Sequence, residues 1–142
     1  MAWLYEQKSG WLSHNGARLV QCYSGSGSGK NNPDAEAIRD VGPLPCGNYT
    51  IQPPVDTPDH GPYVLWLVPD AATFAYMQKL NRAPADPNVP DFAIHGERKE
   101  PPPGEASKGC IIEPHNDRVI VWTSGDDQLQ VIREMPAAWP NE

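Results

Sequence analysis

Residues 92–114 read FAIHGERKEPPPGEASKGCIIEP, and this stretch sets the frame for the rest of the chain. Phe92-Ala93-Ile94 is short and apolar and runs into a turn-rich segment, which predicts a strand ending at His95. Residues 97–106 are charged and contain three consecutive prolines and a glycine, a composition that predicts an irregular loop. Ile111-Ile112 then resumes apolar sequence directly after Cys110. A histidine at a strand end and a thiol thus flank one loop, and the small residues Ser107 and Gly109 lead into the thiol.

The sequence outside this stretch also reads as strands and turns. Trp3 to Gln7 predicts a first strand. Trp11 to His14 and Ala17 to Tyr23 flank Asn15-Gly16, a two-residue hairpin signal. Residues 24–30, SGSGSGK, read as a mobile polar loop, because too few residues precede them for a separate domain. Residues 34–40 suggest a short helical turn. Gly42 to Ile51 and Tyr63 to Pro69 predict two further strands, the second buried. Residues 71–80 are short enough for a small helix or irregular structure, and Ala83 to Asp91 form a proline-rich loop. Asn116-Asp117 is expected to cap a helix from about Arg118 to Trp122. Leu129 to Ile132 is the last strand. The expectation is a mainly β fold with one or two short helices, in one domain spanning residues 1–142.

Composition excludes several classes. The chain has 142 residues, of which 39% are hydrophobic, enough to bury a core. Its 12 glycines and 17 prolines leave little room for long helices. A net charge of -7 with no basic cluster argues against nucleic-acid binding. No apolar run is long enough to span a bilayer, so no membrane insertion is expected. The N-terminus lacks the basic and apolar regions of a secretory signal, and the protein is expected to be made in the cytoplasm. The three cysteines leave two arrangements open: three free thiols, or a Cys22–Cys46 disulfide with Cys110 free.

Cys110 is the candidate nucleophile and His95 its base. A thiol attacks carbonyl carbon as the thiolate, and a nearby imidazole takes the proton. Gly109 lets backbone approach a substrate, and amides around Cys110 are candidates for an oxyanion hole. Ser107 is a candidate to orient the histidine or the substrate, and Lys108 adds positive potential. A zinc site at His95, Cys110 and His115 matches no zinc spacing, and no metal or other cofactor is expected. His14, His60 and His115 lie beside turns or among Pro, Asp and Asn and read as loop histidines. The His-before-Cys order also departs from papain-like and NlpC/P60-type peptidases, which place the cysteine first.

Ile94-His95-Gly96, followed by a loop and Ser107-Lys108-Gly109-Cys110-Ile111, resembles the signature of the L,D-transpeptidase (YkuD-like) catalytic domain. Trp3-Leu4-Tyr5, Tyr23-Ser24-Gly25 and Gly42 to Ile51 extend the resemblance to small L,D-transpeptidase effectors delivered by type VI secretion. The four elements occur in family order across nearly the whole chain. The resemblance implies a YkuD-like β-sandwich. It also implies cysteine-dependent acyl transfer on peptidoglycan stem peptides, as carboxypeptidase, D-amino acid exchange or crosslinking activity.

The resemblance carries over Cys110 and His95 as catalytic, with Gly109, Ser107 and Gly96 supporting. Tyr23, Ser24, Lys108 and Arg118 are candidate substrate contacts. The family's basic residue shortly after the cysteine is missing here, where Ile111-Ile112-Glu113 follow. The implied setting is an antibacterial toxin acting in the periplasm of target bacteria, with a secretion apparatus and an immunity protein as partners. The competing expectation is a stem-peptide-binding module without activity, or another cysteine hydrolase of the cell wall.

Overall fold

The computed structural model describes residues 2–97, 104 and 106–135. Among the described residues there are ten strands: β1 (Trp3–Glu6), β2 (Trp11–His14), β3 (Ala17–Gln21), β4 (Tyr23–Ser24), β5 (Gly47–Ile51), β6 (Val55–Thr57), β7 (Gly61–Pro69), β8 (Phe92–His95), β9 (Ile111–Ile112) and β10 (Gln128–Ile132). Two nine-residue helices accompany them, α1 (Ala71–Lys79) and α2 (His115–Thr123). The mainly β expectation is what the structure shows.

The strands follow one path, β3-β2-β1-β10-β5-β7-β8-β9-β4, with β6 paired to β7 off the path. The first three strands form an antiparallel meander, with Trp3 opposite His14 and Leu12 opposite Val20. Asn15 and Gly16 both take positive φ, 53° and 82°, as the tight hairpin turn between two right-twisted strands requires. The last strand returns beside the first in parallel, with Tyr5 opposite Val131. β3 and β4 stand at opposite ends of the path, yet only Cys22 separates them in sequence. The chain therefore crosses from one end of the sheet to the other within one residue, which is possible because the sheet curls until it is nearly closed.

This crossing corrects two expectations. The return strand does not run from Ala17 to Tyr23; it stops at Gln21, and Tyr23-Ser24 pair instead with Ile112 and Ile111. The glycine-serine segment after it is packed backbone: Ser24, Gly25 and Gly29 are buried, and only Gly27, Ser28 and Lys30 are exposed. A Cβ on Gly25 or Gly29 would lie 2.7 Å or 2.1 Å from the Val41 carbonyl oxygen. Glycine serves close approach here more than mobility.

Tyr5, Leu12, Leu44, Tyr49, Ile51, Leu65, Leu67, Met77, Ile94, Ile111, Val121 and Leu129 fill the core. Helix α1 starts at Asp70, whose carboxylate accepts from the Thr73 amide at 2.8 Å, and Thr73 Oγ1 accepts from the Asn48 amide at the edge of β5. Helix α2 begins at His115 rather than near Arg118, and Pro114 takes the N-cap position without a side-chain cap. Pro114 is suited to the helix entrance, and its carbonyl accepts the first helical bond, from Arg118 N–H at 3.1 Å. Asn116 and Asp117 thus fall inside the first turn. Arg118 and Val121 are the residues α2 buries, and burial of the Val121 side chain contributes about 2 kcal/mol. Among the described residues no helix is long and apolar enough to cross a membrane.

Candidate functional site

Strands β8 and β9 pair in parallel, with Ile94 opposite Ile111 and His95 opposite Ile112. A parallel pair needs a long connection, and residues 96–110 supply it. The register brings Cys110, just before β9, alongside Ala93, whose amide donates to Cys110 Sγ at 3.4 Å. Alternation along β8 puts Ala93 and His95 on one face. Cys110 and His95 are both buried, and their Sγ and imidazole nitrogen lie within 4.8 Å, together with a nitrogen of His60.

The turn into Cys110 is held at every residue. Ser107, wholly buried, donates from Oγ to the Cys110 carbonyl at 2.5 Å and accepts from the amides of Gly25 and Gly109 at 2.9 and 3.1 Å. The Gly109 amide is thus engaged, so it is not a ready-made oxyanion donor. Ser24, also fully buried, donates to the Gly109 carbonyl at 3.0 Å and accepts from the Leu44 amide at 2.8 Å. The Lys108 carbonyl accepts from Arg82 at 3.0 Å. Gly109 has φ +132°, and a Cβ there would stand 2.5 Å from Phe92 Cε1 and 2.6 Å from Arg82 Nη2. Only glycine fits without displacing the wall beside the thiol.

Around the histidine, Nδ1 lies 2.9 Å from the Gly96 carbonyl oxygen. A carbonyl only accepts, so Nδ1 carries the proton and Nε2 of the neutral ring keeps its lone pair. The His95 carbonyl accepts from the Glu113 amide at 2.9 Å. Beneath these residues Arg118 donates to the carbonyls of Tyr63 (3.0 Å), Pro62 (3.2 Å) and Glu113. A Cβ on Gly96 would stand 3.0 Å from the Arg118 guanidinium. Arg118, a candidate substrate contact in the sequence, is buried and bonded to three carbonyls; it clamps backbone under His95, it also lines a hollow beside the pair, and burial lowers its pKa.

A cavity of about 470 Å³ opens over the pair, lined by Arg39, Asp59, His60, Asp91, His95, Lys108 and Cys110 among others. A second hollow meets it at Asp59 and His60 and reaches Gly96, His115 and Arg118. Lys108 lines the first cavity. Tyr23 and Ser24 line neither. The Tyr23 hydroxyl donates to the Glu97 carboxylate at 2.7 and 2.8 Å and accepts from the Ala106 amide at 3.2 Å, which ties the two ends of the 97–106 segment together. Burial and the bond to Glu97 push the Tyr23 hydroxyl up to about 12. Residues 98–103 and 105, the middle of that expected loop, lie outside the described residues.

None of the three cysteines is in a disulfide, so the Cys22–Cys46 bridge is not formed. Each of these two faces its own carboxylate instead. Cys22 Sγ donates to Glu113 Oε2 at 3.9 Å, and burial with the nearby Glu113 charge drives its pKa far up. Burial and Glu36 push the Cys46 thiol up to about 12.

Sequence reasoning missed His60 and Arg82. His60 sits in the turn between β6 and β7, its ring centroid 4.9 Å from that of His95 and 5.3 Å from that of Trp66. Arg82 donates to the carbonyls of Glu36, Gly42, Pro43 and Lys108. Neither stands in a motif near the pair; the only signal was the type of residue. Among the described residues, His60, His95 and Cys110 bring three donor atoms within 4.8 Å of one another.

These features define a mainly β domain with a buried cysteine–histidine pair at the floor of a cleft. Residues 18–133 match the Tlde1 domain, and the chain belongs to that family of type VI secretion effectors. Comparison with curated proteins and with solved structures yields no significant match.

Proposed function

We propose that the protein is a cysteine-dependent acyltransferase acting on peptidoglycan stem peptides, as an antibacterial effector in the periplasm of target cells. The observation that carries this reading is the convergence of Cys110 Sγ and His95 within 4.8 Å, with the imidazole tautomer set by the Gly96 carbonyl. Membership of an effector family supports a secretion apparatus as partner.

In this reading Nε2 of His95 takes the thiol proton and the Cys110 thiolate attacks the stem-peptide carbonyl. By the resemblance, the attacked carbonyl belongs to the third stem residue. The tetrahedral intermediate collapses as the C–N bond breaks, and the imidazolium returns its proton to the departing amine of D-Ala. Water or an amine then attacks the thioester and frees Cys110. Water gives carboxypeptidase activity, a free D-amino acid gives exchange, and a second stem gives a crosslink. The substrate enters through the cavity over the pair, where Lys108 and Arg39 offer positive charge and Asp59 and Asp91 negative charge. An immunity protein in the producing cell would protect it by covering this opening.

The test is incubation with tetrapeptide muropeptides, with and without D-Met, beside Cys110→Ala. Loss of D-Ala or its replacement by D-Met only with the intact thiol is expected. Binding without turnover would instead favour a stem-peptide-binding module.

A further inference from the structure

We propose that His60, His95 and Cys110 form a binding site for a zinc-class divalent cation, which ties up the thiol and holds the protein inactive. That the bound ion silences activity rests on the function proposed above; the binding site itself does not.

One thiol sulfur and two imidazole nitrogens lie within 4.8 Å of one another, drawn from three separate elements: the β6–β7 turn, the end of β8 and the residue before β9. Thiolate with imidazole is the borderline-soft donor set that selects zinc over magnesium or calcium. A tetrahedral zinc ion with bonds of about 2.0–2.3 Å needs its ligand atoms about 3.3–3.8 Å apart. The triangle therefore contracts by at most about 1.5 Å, a shift within the reach of side-chain rotation.

The surroundings suit such a site. The Gly96 carbonyl holds His95 Nδ1–H, so Nε2 is the atom presented, as in metal-binding histidines oriented by a backbone acceptor. His60 is anchored through its amide to Thr57 Oγ1 at 2.9 Å, and its ring rests edge-on against Trp66. His60, His95 and Cys110 all line the cavity, so with three protein ligands a water from the cavity can complete the tetrahedron. Asp40, Asp59 and Asp91 on the cavity wall balance the charges of Arg39, Arg82 and Lys108, so the lining carries no net positive charge against a cation. On binding, the Cys110 S–H bond breaks, the S–metal bond forms and the proton leaves to solvent. The same lone pairs that run acyl transfer are then engaged, so the bound ion and a reacting substrate exclude one another.

The experiment uses the full chain stripped with a chelator and titrated with Co2+, then Zn2+, without substrate. One equivalent of Co2+ is expected to give a near-ultraviolet thiolate charge-transfer band with the visible bands of a tetrahedral ion. Zn2+ should abolish both and protect Cys110 from iodoacetamide. Cys110→Ser should remove the charge-transfer band, and His60→Ala should weaken binding at least about tenfold, no less than loss of an outer partner costs. His60 lies in a turn outside the core clusters, and circular dichroism checks that its variant folds. Absence of the band, its loss in Cys46→Ser rather than Cys110→Ser, or unchanged affinity in His60→Ala overturns the site. Muropeptide turnover in chelator, measured alongside, separates the two readings. Metal binding without turnover keeps the site and removes the acyltransferase; turnover without metal binding does the reverse.

Discussion

Arg82 donates to the Lys108 carbonyl at 3.0 Å, two residues before the Cys110 thiol, while the same guanidinium holds the carbonyls of Glu36, Gly42 and Pro43. A residue following α1 thereby fixes the turn that carries Cys110. Its burial lowers its pKa, and it remains charged because arginine has a very high starting value.

Replacing Arg82 with Met leaves four carbonyls without this donor. Hydrogen bonds to charged groups contribute about 1.5–3 kcal/mol each, and they are not additive, so a net loss of roughly 3–5 kcal/mol is expected. Urea denaturation measures it. Arg82→Lys should recover only part, since an ammonium group lacks the planar fork that reaches several carbonyls at once. Equal stability of the wild type and Arg82→Met would show that the four bonds do not carry the turn.

Gly109 and Ser107 make a paired case. Gly109→Ala adds a Cβ against Phe92 and Arg82 at φ +132°, and roughly 1–3 kcal/mol of destabilisation is expected from strain alone. Ser107→Ala removes the acceptor of two amides and the donor to the Cys110 carbonyl. Each buried amide left unsatisfied costs about 1–3 kcal/mol. Ser107→Cys retains a weak hydrogen-bonding group at similar volume and should fall between the two. Thermal melting of all three variants checks the order.

The thiols should differ sharply in reactivity. Cys22 and Cys46 are each pushed up by burial and by a neighbouring carboxylate, whereas Cys110 faces an imidazole at the cavity floor. Iodoacetamide at pH 7, followed by peptide mass mapping, is expected to label Cys110 first. His95→Ala should slow that labelling about tenfold or more. Faster labelling of Cys46 would count against the assignment of Cys110 as nucleophile.

How much of this was legible depends on whether the signal was local. The strand ending at His95, the hairpin at Asn15-Gly16 and the apolar pair after Cys110 are short-range patterns, and the structure has them where the sequence predicts. The break at Cys22 was not legible, because ARLVQCY is uniformly strand-prone; pairing with β9, nearly ninety residues later, decides that Tyr23 changes partners. The buried glycine-serine segment misled for a related reason. Its composition is that of a flexible linker, and only the Val41 carbonyl pressed against Gly25 and Gly29 shows that small size was what the site required. His60 and Arg82 reach the pair from other elements, so no spacing in the chain marks them.

Glu113 gives the fold a pH dependence. Its side chain is fully buried; Oε2 accepts from Cys22, and Oε1 has no hydrogen-bond partner among the described residues, nor has the Tyr5 hydroxyl. Burial, with the Asp117 charge, raises the Glu113 carboxyl from 4.5 to about 8 against the opposing pull of Arg118. Between these two values the folded chain holds a proton that the unfolded chain has lost. Unfolding then releases a proton, so stability falls as pH rises from about 4.5 to about 8 and levels off above that. At about 1.4 kcal/mol per unit, the Glu113 component is on the order of several kcal/mol. Glu113→Gln keeps the shape and a hydrogen-bonding amide but cannot ionise. Urea denaturation at pH 5.5, 7 and 8.5 should show wild-type stability declining across the series and a flatter profile for the variant, with the variant gaining most relative to wild type at pH 8.5. Parallel profiles for the two proteins would mean that Glu113 is ionised in the fold at neutral pH, held by Arg118.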